Sequence, residues 1–299
     1  MWNGILNVFK EPGFTSNDVV AKLRGILHQK RIGHAGTLDP EASGVLPILL
    51  GSATRLSGYL MEHEKTYRAV LLLGIETDTQ DLTGNVVRRF EGSLPQEEMI
   101  REAVLSFVGG YEQLPPMYSA KQVNGKRLYE LARQGKVVER RRVPVQISQI
   151  RIEGIDPPEV CFSVDCSKGT YIRTLCHDIG QKLGCGAAMK ELVRTRAGGF
   201  SAEDAITLDR ISELAGNGRI GEWVIPVEEM FLDCLRVHTP SEESEKKLRN
   251  GNALSVQELK LPGTGAGELI RLCTMDGTFL AVYRFDGENR RYIPYRMFL

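Results

Sequence analysis

The feature that most constrains the fold of this chain is the alternation of short strand-like runs with amphipathic helical segments. Residues 4–9 are of strand type, and a turn-rich stretch separates them from apolar residues that recur at the helical period. Either Ser16 or Asn17 is the expected N-cap of that helix. Residues 66–73 are β-branched and bulky, as in a buried strand. The sequence therefore predicts a mixed class in which strands and helices interleave.

The same alternation continues through the middle of the chain. The stretch 93–95 ends in a proline and favours a helix start, since proline suits the first helical turn. Residues 143–152 and 160–164 alternate enough to form sheet, and residues 170–183 have the period of an amphipathic helix. The side chains expected on the inner faces of the two helices are Met99, Ala103, Val104, Phe107, Ile172, Leu175, Cys176, Ile179 and Leu183.

The residue composition changes near residue 236, and this change divides the chain into two parts. With 299 residues, the chain is long enough for one large core and a small appended domain. After the change, short strand-like pieces are separated by Gly and Asp, and residues 238–245 have the polar composition of a linker. We therefore expect one domain over residues 1–235 and a second over residues 236–299.

Local charge is more informative than global charge. Lys plus Arg and Asp plus Glu number 38 each, so the total gives no sign of a polyanionic partner. Residues 119–142, however, carry eight basic side chains against two acidic ones. Such an excess is typical of a surface that neutralises phosphates, although a solvated helix and a basic turn would have the same composition. The basic residues are Lys121, Lys126, Arg127, Arg133, Lys136, Arg140, Arg141 and Arg142.

Cysteine use and the N-terminus both favour the cytoplasm. The six cysteines form no CxxC pair and have no His at zinc-site spacing, so we expect reduced packing residues and no metal site. The N-terminus lacks a basic stretch followed by a long apolar run, and no segment is long enough to span a bilayer. The sequence therefore predicts a cytoplasmic protein that does not associate with membranes.

Residues 33–46, Gly-His-Ala-Gly-Thr-Leu-Asp-Pro-Glu-Ala-Ser-Gly-Val-Leu, combine three glycines with a histidine and a carboxylate. So few large side chains in one stretch indicate that something approaches the backbone closely. Taken alone, Asp39 before Pro40 is also an ordinary helix start with Asp39 as the N-cap. His34 could stack on a base or bond to the backbone of a turn.

This segment resembles the catalytic motif of the TruB family of pseudouridine synthases, in which the Asp of Gly-Thr-Leu-Asp-Pro is the essential residue. Five other segments resemble motifs of the same family, in the family's order, so the resemblance spans residues 10–195. The segments are residues 10–16 (Lys-Glu-Pro-Gly-Phe-Thr-Ser), 64–69 (Glu-Lys-Thr-Tyr-Arg-Ala), 113–120 (Gln-Leu-Pro-Pro-Met-Tyr-Ser-Ala) with 124–127 (Asn-Gly-Lys-Arg), 167–173 (Ser-Lys-Gly-Thr-Tyr-Ile-Arg) and 192–195 (Leu-Val-Arg-Thr).

The resemblance implies three catalytic residues. Asp39 would act on the ring or the sugar, Arg173 would lower the pKa of Asp39 and aim it, and Tyr67 would stack on the extruded base and exchange protons. Without the resemblance, the favoured interpretation of Arg173 is a solvated helix residue and that of Tyr67 is a core aromatic. Asp78 and Asp81 fit a structural turn and an RNA contact equally. The residues implied in substrate binding are Lys10, His34, Lys121, Lys126, Arg127, Arg140, Arg141, Arg142 and Leu192, the last as the apolar wall of a uracil pocket.

The resemblance also implies an α+β pseudouridine synthase fold with a mixed, largely antiparallel central sheet. An RNA-binding insertion would lie at about residues 110–145, and a small PUA-like β domain would form the C-terminus. The implied activity is the isomerisation of uridine to pseudouridine in the T loop of tRNA, at position 55, without metal or other cofactor. The implied partner is the T arm of tRNA, with no obligatory protein partner. The alternatives are a related synthase with another RNA target and an RNA chaperone that uses the same surface.

Overall fold

A computed structural model describes residues 1–123, 125–261 and 265–299 of the chain. Asn124, part of the segment 124–127 quoted above, lies outside the described residues. The strands, in chain order, are β1 (Gly4–Lys10), β2 (Ile32–His34), β3 (Ser43–Leu50), β4 (Lys65–Leu73), β5 (Ile75–Thr77), β6 (Val86–Arg89), β7 (Gly109–Gln113), β8 (Gln122–Val123), β9 (Lys126–Arg127), β10 (Val143–Asp156), β11 (Glu159–Cys166), β12 (Ala187–Ala197), β13 (Phe200–Ser201), β14 (Leu235–His238), β15 (Leu254–Ser255), β16 (Leu269–Cys273), β17 (Phe279–Asp286) and β18 (Arg291–Met297). The helices are α1 (Ser16–Ile26), α2 (Ser57–Met61), α3 (Glu97–Leu105), α4 (Leu128–Arg133), α5 (Ile172–Leu183), α6 (Leu208–Gly216), α7 (Glu242–Arg249) and α8 (Val256–Leu259).

The largest sheet is mixed and mostly antiparallel. Its strands lie in the order β1-β3-β12-β4-β11-β10-β7, with β2 added to β3 and β13 to β12. Only β12 and β3 run parallel among the paired strands of this sheet that the structure describes. Apolar side chains from α1, α3, α5 and α6 share one core with the sheet, as Leu23, Ile100, Ile179 and Ile211 do. The predicted α+β class with a mixed, largely antiparallel sheet is confirmed.

Two local predictions for the helices are wrong. The N-cap of α1 is Thr15, because a capping box joins Thr15 to Asp18 and satisfies two backbone N–H groups at once. Helix α3 starts at Glu97, and Met99 points to solvent, because Ile100, Ala103 and Val104 form the buried face. The predicted inward positions of Ala103, Val104 and Phe107 are confirmed, and only Met99 was assigned to the wrong face.

The glycine-rich segment connects β2 to β3 and contains no helix. Asp39 is therefore not a helix N-cap, and the simple structural interpretation of Asp39 before Pro40 is wrong. The two strands enclose the segment, with His34 paired to Ile48 across them. We call residues 33–46 the Asp39 loop.

A second sheet forms near the C-terminus, with the strand order β14-β16-β17-β18-β15. Its first strand starts at Leu235, one residue before the predicted boundary. The interpretation of residues 238–245 as a linker is wrong, because β14 ends at His238 and α7 begins at Glu242 with Ser241 as its N-cap. This sheet is the small C-terminal β domain that the sequence predicted as PUA-like.

The two sheets are joined by an apolar contact. Val282 of the C-terminal sheet and Phe298, which follows its strand β18, share a buried cluster with Leu49 of β3 and with Leu56 and Phe231. Beside it, Nη1 of Arg55 donates to the carbonyl of Met297 at 2.9 Å. Among the described residues, no helix combines the length and apolarity needed to cross a membrane.

Candidate active site

Asp39 and Arg173 meet at the centre of the candidate site, although 134 residues separate them in the chain. Nε of Arg173 lies 2.9 Å from Oδ2 of Asp39, and Nη2 donates to Oδ1 at 3.1 Å. Two nitrogens of the fork therefore bind both carboxylate oxygens, which fixes the orientation of the carboxylate. The Arg173 side chain is only 6% exposed, whereas that of Asp39 is 38% exposed and open to a ligand.

The first turn of α5 holds Arg173 in place. Tyr171, the residue before the helix, donates its N–H to Oε1 of Gln113 at 2.7 Å and accepts from Nε2 of Gln113 at 2.9 Å. Gln113 is fully buried at the end of β7. The start of the helix is thus tied to the sheet, and Nη2 of Arg173 donates to the carbonyl of Tyr118 at 2.8 Å.

Asp81 is a second carboxylate on the same guanidinium. Its Oδ2 lies 3.3 Å from Nη1 of Arg173, and its side chain is 14% exposed. The other oxygen, Oδ1, accepts from the hydroxyl of Thr79 at 2.7 Å and the backbone N–H of Thr83 at 3.0 Å. Of the two roles considered for Asp81, the structure gives it the structural one. Asp78 differs, because it accepts from Asn85 within its own turn.

The groups around Asp39 shift its pKa in opposite directions. Although the Asp39 side chain is 38% exposed, the protein around its carboxylate displaces much of the hydrating water, and this desolvation raises the pKa of Asp39 above the usual carboxyl range. The Arg173 guanidinium opposes this shift, the Asp81 carboxylate adds to it, and the Lys10 ammonium opposes it. Arg173 therefore lowers the Asp39 pKa as expected, but desolvation outweighs its effect and the net shift is upward.

The N-terminal motif clamps the chain on both sides of Asp39. Before it, Leu38 donates its N–H to the hydroxyl of Ser16 at 2.9 Å. After it, the carbonyl of Pro40 accepts from the N–H of Gly13 at 3.0 Å and from Nζ of Lys10 at 2.9 Å. These bonds fix the backbone that carries the carboxylate.

Lys10 has a different role from the predicted RNA contact. It is fully buried, and its ammonium also donates to the carbonyls of Glu11 and Phe14. Burial lowers its pKa to about 8, and the carboxylates of Glu41 and Asp39 oppose that shift. A direct RNA contact would require the ammonium to leave three acceptors, so Lys10 supports the Asp39 loop instead.

Tyr67 lies on β4 opposite Arg194 of β12. Burial raises the pKa of the Tyr67 phenol, and the charge of Arg194 opposes that shift. Leu192 lies two residues earlier on β12, opposite Ala69, and is 8% exposed within the main core. Its predicted place in a uracil pocket stays a prediction.

His34 lies at the start of the Asp39 loop and is partly buried. Burial lowers its pKa, and the charge of Arg194 adds to that shift. Its Nδ1 atom is buried without a hydrogen-bond partner among the described residues. The neutral imidazole therefore keeps one free polar atom, and the predicted contact with the substrate stays a prediction.

The basic segment divides into two groups. Nη1 of Arg140 donates to the carbonyl of Pro115 at 3.0 Å, and Nη1 of Arg142 donates to the carbonyl of Glu112 at 2.7 Å. These two side chains brace the insertion against the end of β7. By contrast, Lys126, Arg127 and Arg141 are exposed, and Lys121 is partly exposed.

Within the insertion, two guanidinium groups lie near the ring of Tyr129. The guanidinium carbons of Arg127 and Arg133 lie 5.9 Å and 5.5 Å from the centre of its ring. An aromatic ring among exposed cations is the composition of many RNA-contacting surfaces. RNA binding by these residues stays a prediction.

Two residues of the site were not predicted as such. Arg194 is 1% exposed, and its position follows from β periodicity, because Leu192 and Arg194 share a face of β12. An inward Leu192 therefore implies an inward Arg194. Gln113 has no comparable signal, because only the tertiary contact with Tyr171 shows its role.

Two family profiles match adjacent stretches of the chain. Residues 24–172 match the profile described as the TruB family pseudouridylate synthase N-terminal domain. Residues 173–231 match the profile described as the tRNA pseudouridylate synthase B C-terminal domain. The first includes Asp39, Tyr67 and Asp81, and the second begins at Arg173.

Curated relatives and solved structures agree with these profiles. The chain is 46% identical to the tRNA pseudouridine synthase B of Lachnoclostridium phytofermentans, over 99% of this chain and 100% of that one. It is 48% identical to the protein of the same name from Alkaliphilus oremlandii, over 84% of this chain and 83% of that one. The crystal structure of a Cbf5-Nop10-Gar1 complex is similar with a TM-score of 0.72 and 28% identity, over 99% of this chain and 85% of that one. An H/ACA RNP bound to a substrate RNA containing 2'-deoxyuridine gives a TM-score of 0.71 and 26% identity, with the same coverage.

Proposed function

This chain belongs to the TruB family of pseudouridylate synthases, and from that membership we propose that it converts the uridine at position 55, in the T loop of tRNA, into pseudouridine. The enzyme class, an isomerase that acts on uridine in tRNA, follows from the family and the relatives. The position in the T loop and the dependence on Asp39 are the proposed part.

The observation that carries the proposal is the pair formed by Asp39 and Arg173. A partly exposed carboxylate is held by two nitrogens of a buried guanidinium at 2.9 and 3.1 Å, at the edge of a fixed loop. This arrangement presents one aimed oxygen nucleophile or charge stabiliser to a ligand. Such a carboxylate can attack the ring or the sugar, or stabilise an oxocarbenium-like centre.

The reaction breaks the N1–C1′ bond of uridine, turns the base and joins C5 to C1′. In our proposal, Asp39 assists the first step and Tyr67 stacks on the detached base. The hydrogen on C5 then leaves as a proton, and Tyr67 is the base that accepts it. No step calls on a metal or an organic cofactor.

The insertion with α4 would bind the phosphates of the T arm. Its exposed cations, Lys126, Arg127 and Arg141, lie in the same segment as Tyr118, whose carbonyl binds Arg173. The segment that carries these cations is thus tied by one hydrogen bond to the guanidinium that holds Asp39. This connection favours an RNA substrate over a free nucleoside.

Release of tritium from C5-labelled uridine in tRNA transcripts tests the proposal, because the isomerisation must expel that hydrogen. We expect release by the unmodified protein and none by Asp39→Asn, with tRNA binding retained, since this change removes the charge and keeps the shape. Asp209→Asn, which alters an exposed carboxylate in the first turn of α6, is the matched control and should be fully active.

A second transcript locates the target. When cytidine replaces the uridine at position 55, release should stop, and continued release would place the target elsewhere. The reaction should also proceed in excess chelator once the RNA fold is controlled for. Turnover by Asp39→Asn would remove Asp39 from its proposed role.

A further inference from the structure

Arg194 is a buried cation that has no carboxylate within ion-pair distance in the described part of the chain. Its side chain is 1% exposed, yet Nε donates to the carbonyl of Val45 at 2.7 Å and Nη2 donates to the carbonyl of Gly36 at 3.1 Å. Buried charges are ordinarily paired, because burial without a partner is costly. Because both acceptors are neutral carbonyls, the positive charge of Arg194 is not neutralised and can act on neighbouring groups.

The two carbonyls belong to opposite arms of the Asp39 loop. Gly36 precedes Asp39, and Val45 follows it on β3, where the neighbouring Gly44 pairs with Arg194 itself. The backbone approaches so closely there that a Cβ on Gly44 would lie 2.2 Å from the carbonyl oxygen of Arg194. The guanidinium is therefore held rigidly behind the loop.

Tyr67 of β4 lies directly opposite Arg194 of β12, so the two side chains share a face of the sheet and the charge of Arg194 acts on the phenol. A guanidinium can only donate hydrogen bonds, so it can meet the Tyr67 oxygen only as an acceptor. The other titratable groups near Tyr67 are Cys166 of β11 and Asp39, and both disfavour a negative charge on the phenol.

Other charged groups lie close to Arg194 without neutralising it. Lys10, Lys65 and His34 all experience its charge, and each is itself basic. Both lysine ammoniums bind backbone carbonyls rather than carboxylates. Arg194 is thus the cation of this cluster that lies directly opposite Tyr67 across the strands and favours its anion.

We propose that Arg194 is a positioning residue that keeps the Tyr67 oxygen as a hydrogen-bond acceptor and stabilises the phenolate which removes the C5 proton. This inference rests on the proposed function. The balance of the step is complete without another reactant. The Tyr67 phenol first gives its proton to solvent. The C5 hydrogen then passes as a proton to the phenolate oxygen, the electron pair of the C5–H bond restores the C5–C6 double bond, and N1 takes one proton from solvent.

A purely structural role for Arg194 makes a different prediction. If Arg194 only holds the loop, its loss misplaces Asp39 and slows cleavage of the N1–C1′ bond. If it acts through Tyr67, its loss slows the later removal of the C5 proton. Deuterium at C5 distinguishes the two cases, because only the second makes the C5–H bond break in the slow step.

The test uses the full-length protein and T-arm transcripts with hydrogen or deuterium at C5, under single-turnover conditions. We expect Arg194→Met to slow pseudouridine formation by about 100-fold, the range typical of an impaired proton transfer. Its deuterium effect should be clearly larger than that of the unmodified protein. Arg194→Lys keeps a positive charge in the same place and should fall between the two in both rate and deuterium effect.

Double variants give a second measurement. In the Tyr67→Phe background, Arg194→Met should cause little further loss, because the group on which it acts is gone. The inference is overturned if the deuterium effect is unchanged or smaller in Arg194→Met, or if the losses multiply in the double variant. Should Arg194→Met not fold, the deuterium effect of Arg194→Lys decides the question. Failure of the unmodified protein to act on the transcript would instead refute the proposed function.

Discussion

The carboxylate of Asp81 lies 3.3 Å from Nη1 of Arg173, while Nε and Nη2 of the same guanidinium bind Asp39. One buried cation therefore serves two carboxylates. Asp81 anchors the fork, but its charge also adds to the rise in the Asp39 pKa. Asp81 thus helps to orient Asp39, but it disfavours the ionised form of Asp39.

Asp81→Asn separates these two effects. Loss of the charged anchor loosens Arg173, and a misplaced fork should lower turnover at neutral pH by about 100-fold. The Asp39 pKa is raised in the folded protein, so activity is lost as pH falls through that raised value. Removal of the Asp81 charge lowers this pKa, and the acid limb of the turnover profile should move to lower pH.

The matched control is Asp78→Asn in the same turn. Asp78 accepts from Asn85 and has no contact with Arg173, so turnover and the acid limb should both stay unchanged. An acid limb that moves to higher pH in Asp81→Asn would contradict the electrostatic role given to Asp81.

A second prediction concerns the basic insertion. Lys126→Glu and Arg141→Glu change exposed cations with no bond to the fold in the described residues, so each should weaken tRNA binding and flatten its salt dependence. Arg140→Glu and Arg142→Glu would also break the bonds that brace the insertion, and they are therefore poor probes of RNA contact.

Arg210→Glu makes the same charge change on α6 and is the control. It should leave the salt slope unchanged. Fluorescence-detected tRNA binding over a series of salt concentrations measures the slopes of the three variants and of the unmodified protein. Equal slopes for the insertion variants and the unmodified protein would show that these cations face away from RNA.

A third prediction follows from the close packing of Gly44. Its φ of +107° and the approach of the Arg194 backbone leave no room for a side chain. Gly44→Ala should therefore lower the free energy of unfolding by about 3 kcal/mol, the upper range for a single substitution.

Gly58→Ala provides the comparison, because Gly58 lies in α2 with open space around it. Gly58→Ala should raise the free energy of unfolding by no more than about 1 kcal/mol, since alanine has a higher helix propensity than glycine. Urea denaturation at constant slope measures both changes. Equal free energies of unfolding for Gly44→Ala and the unmodified protein would show that β3 and β12 can move apart without cost.

The sequence predicted several elements of the main domain, because residues 66–73 are rich in bulky apolar side chains and residues 170–183 have a clear helical period. It could not place Asp81 on Arg173, since that contact joins a turn to a helix 92 residues away. Lys10 illustrates a different limit. A lysine in a motif indicates a phosphate contact by its charge, but only the tertiary structure shows three backbone carbonyls around its ammonium.

The last prediction concerns removal of residues 236–299. The residues proposed for chemistry lie before this segment, so the chemical step should survive in a T-arm hairpin at saturating concentration, while more hairpin is needed for half-maximal rate. The deletion also exposes Leu56 and Phe231, which pack against Val282 and Phe298, so the shortened protein should melt at a lower temperature. Phe298→Ala distinguishes the loss of stability from the loss of the C-terminal surface. It should lower the free energy of unfolding by about 3–5 kcal/mol but keep that surface. Normal half-saturation in folded Phe298→Ala and a raised value in the folded truncation would assign RNA binding to the C-terminal sheet. A folded truncation that binds the hairpin normally but does not turn it over would show that this sheet shapes the active site.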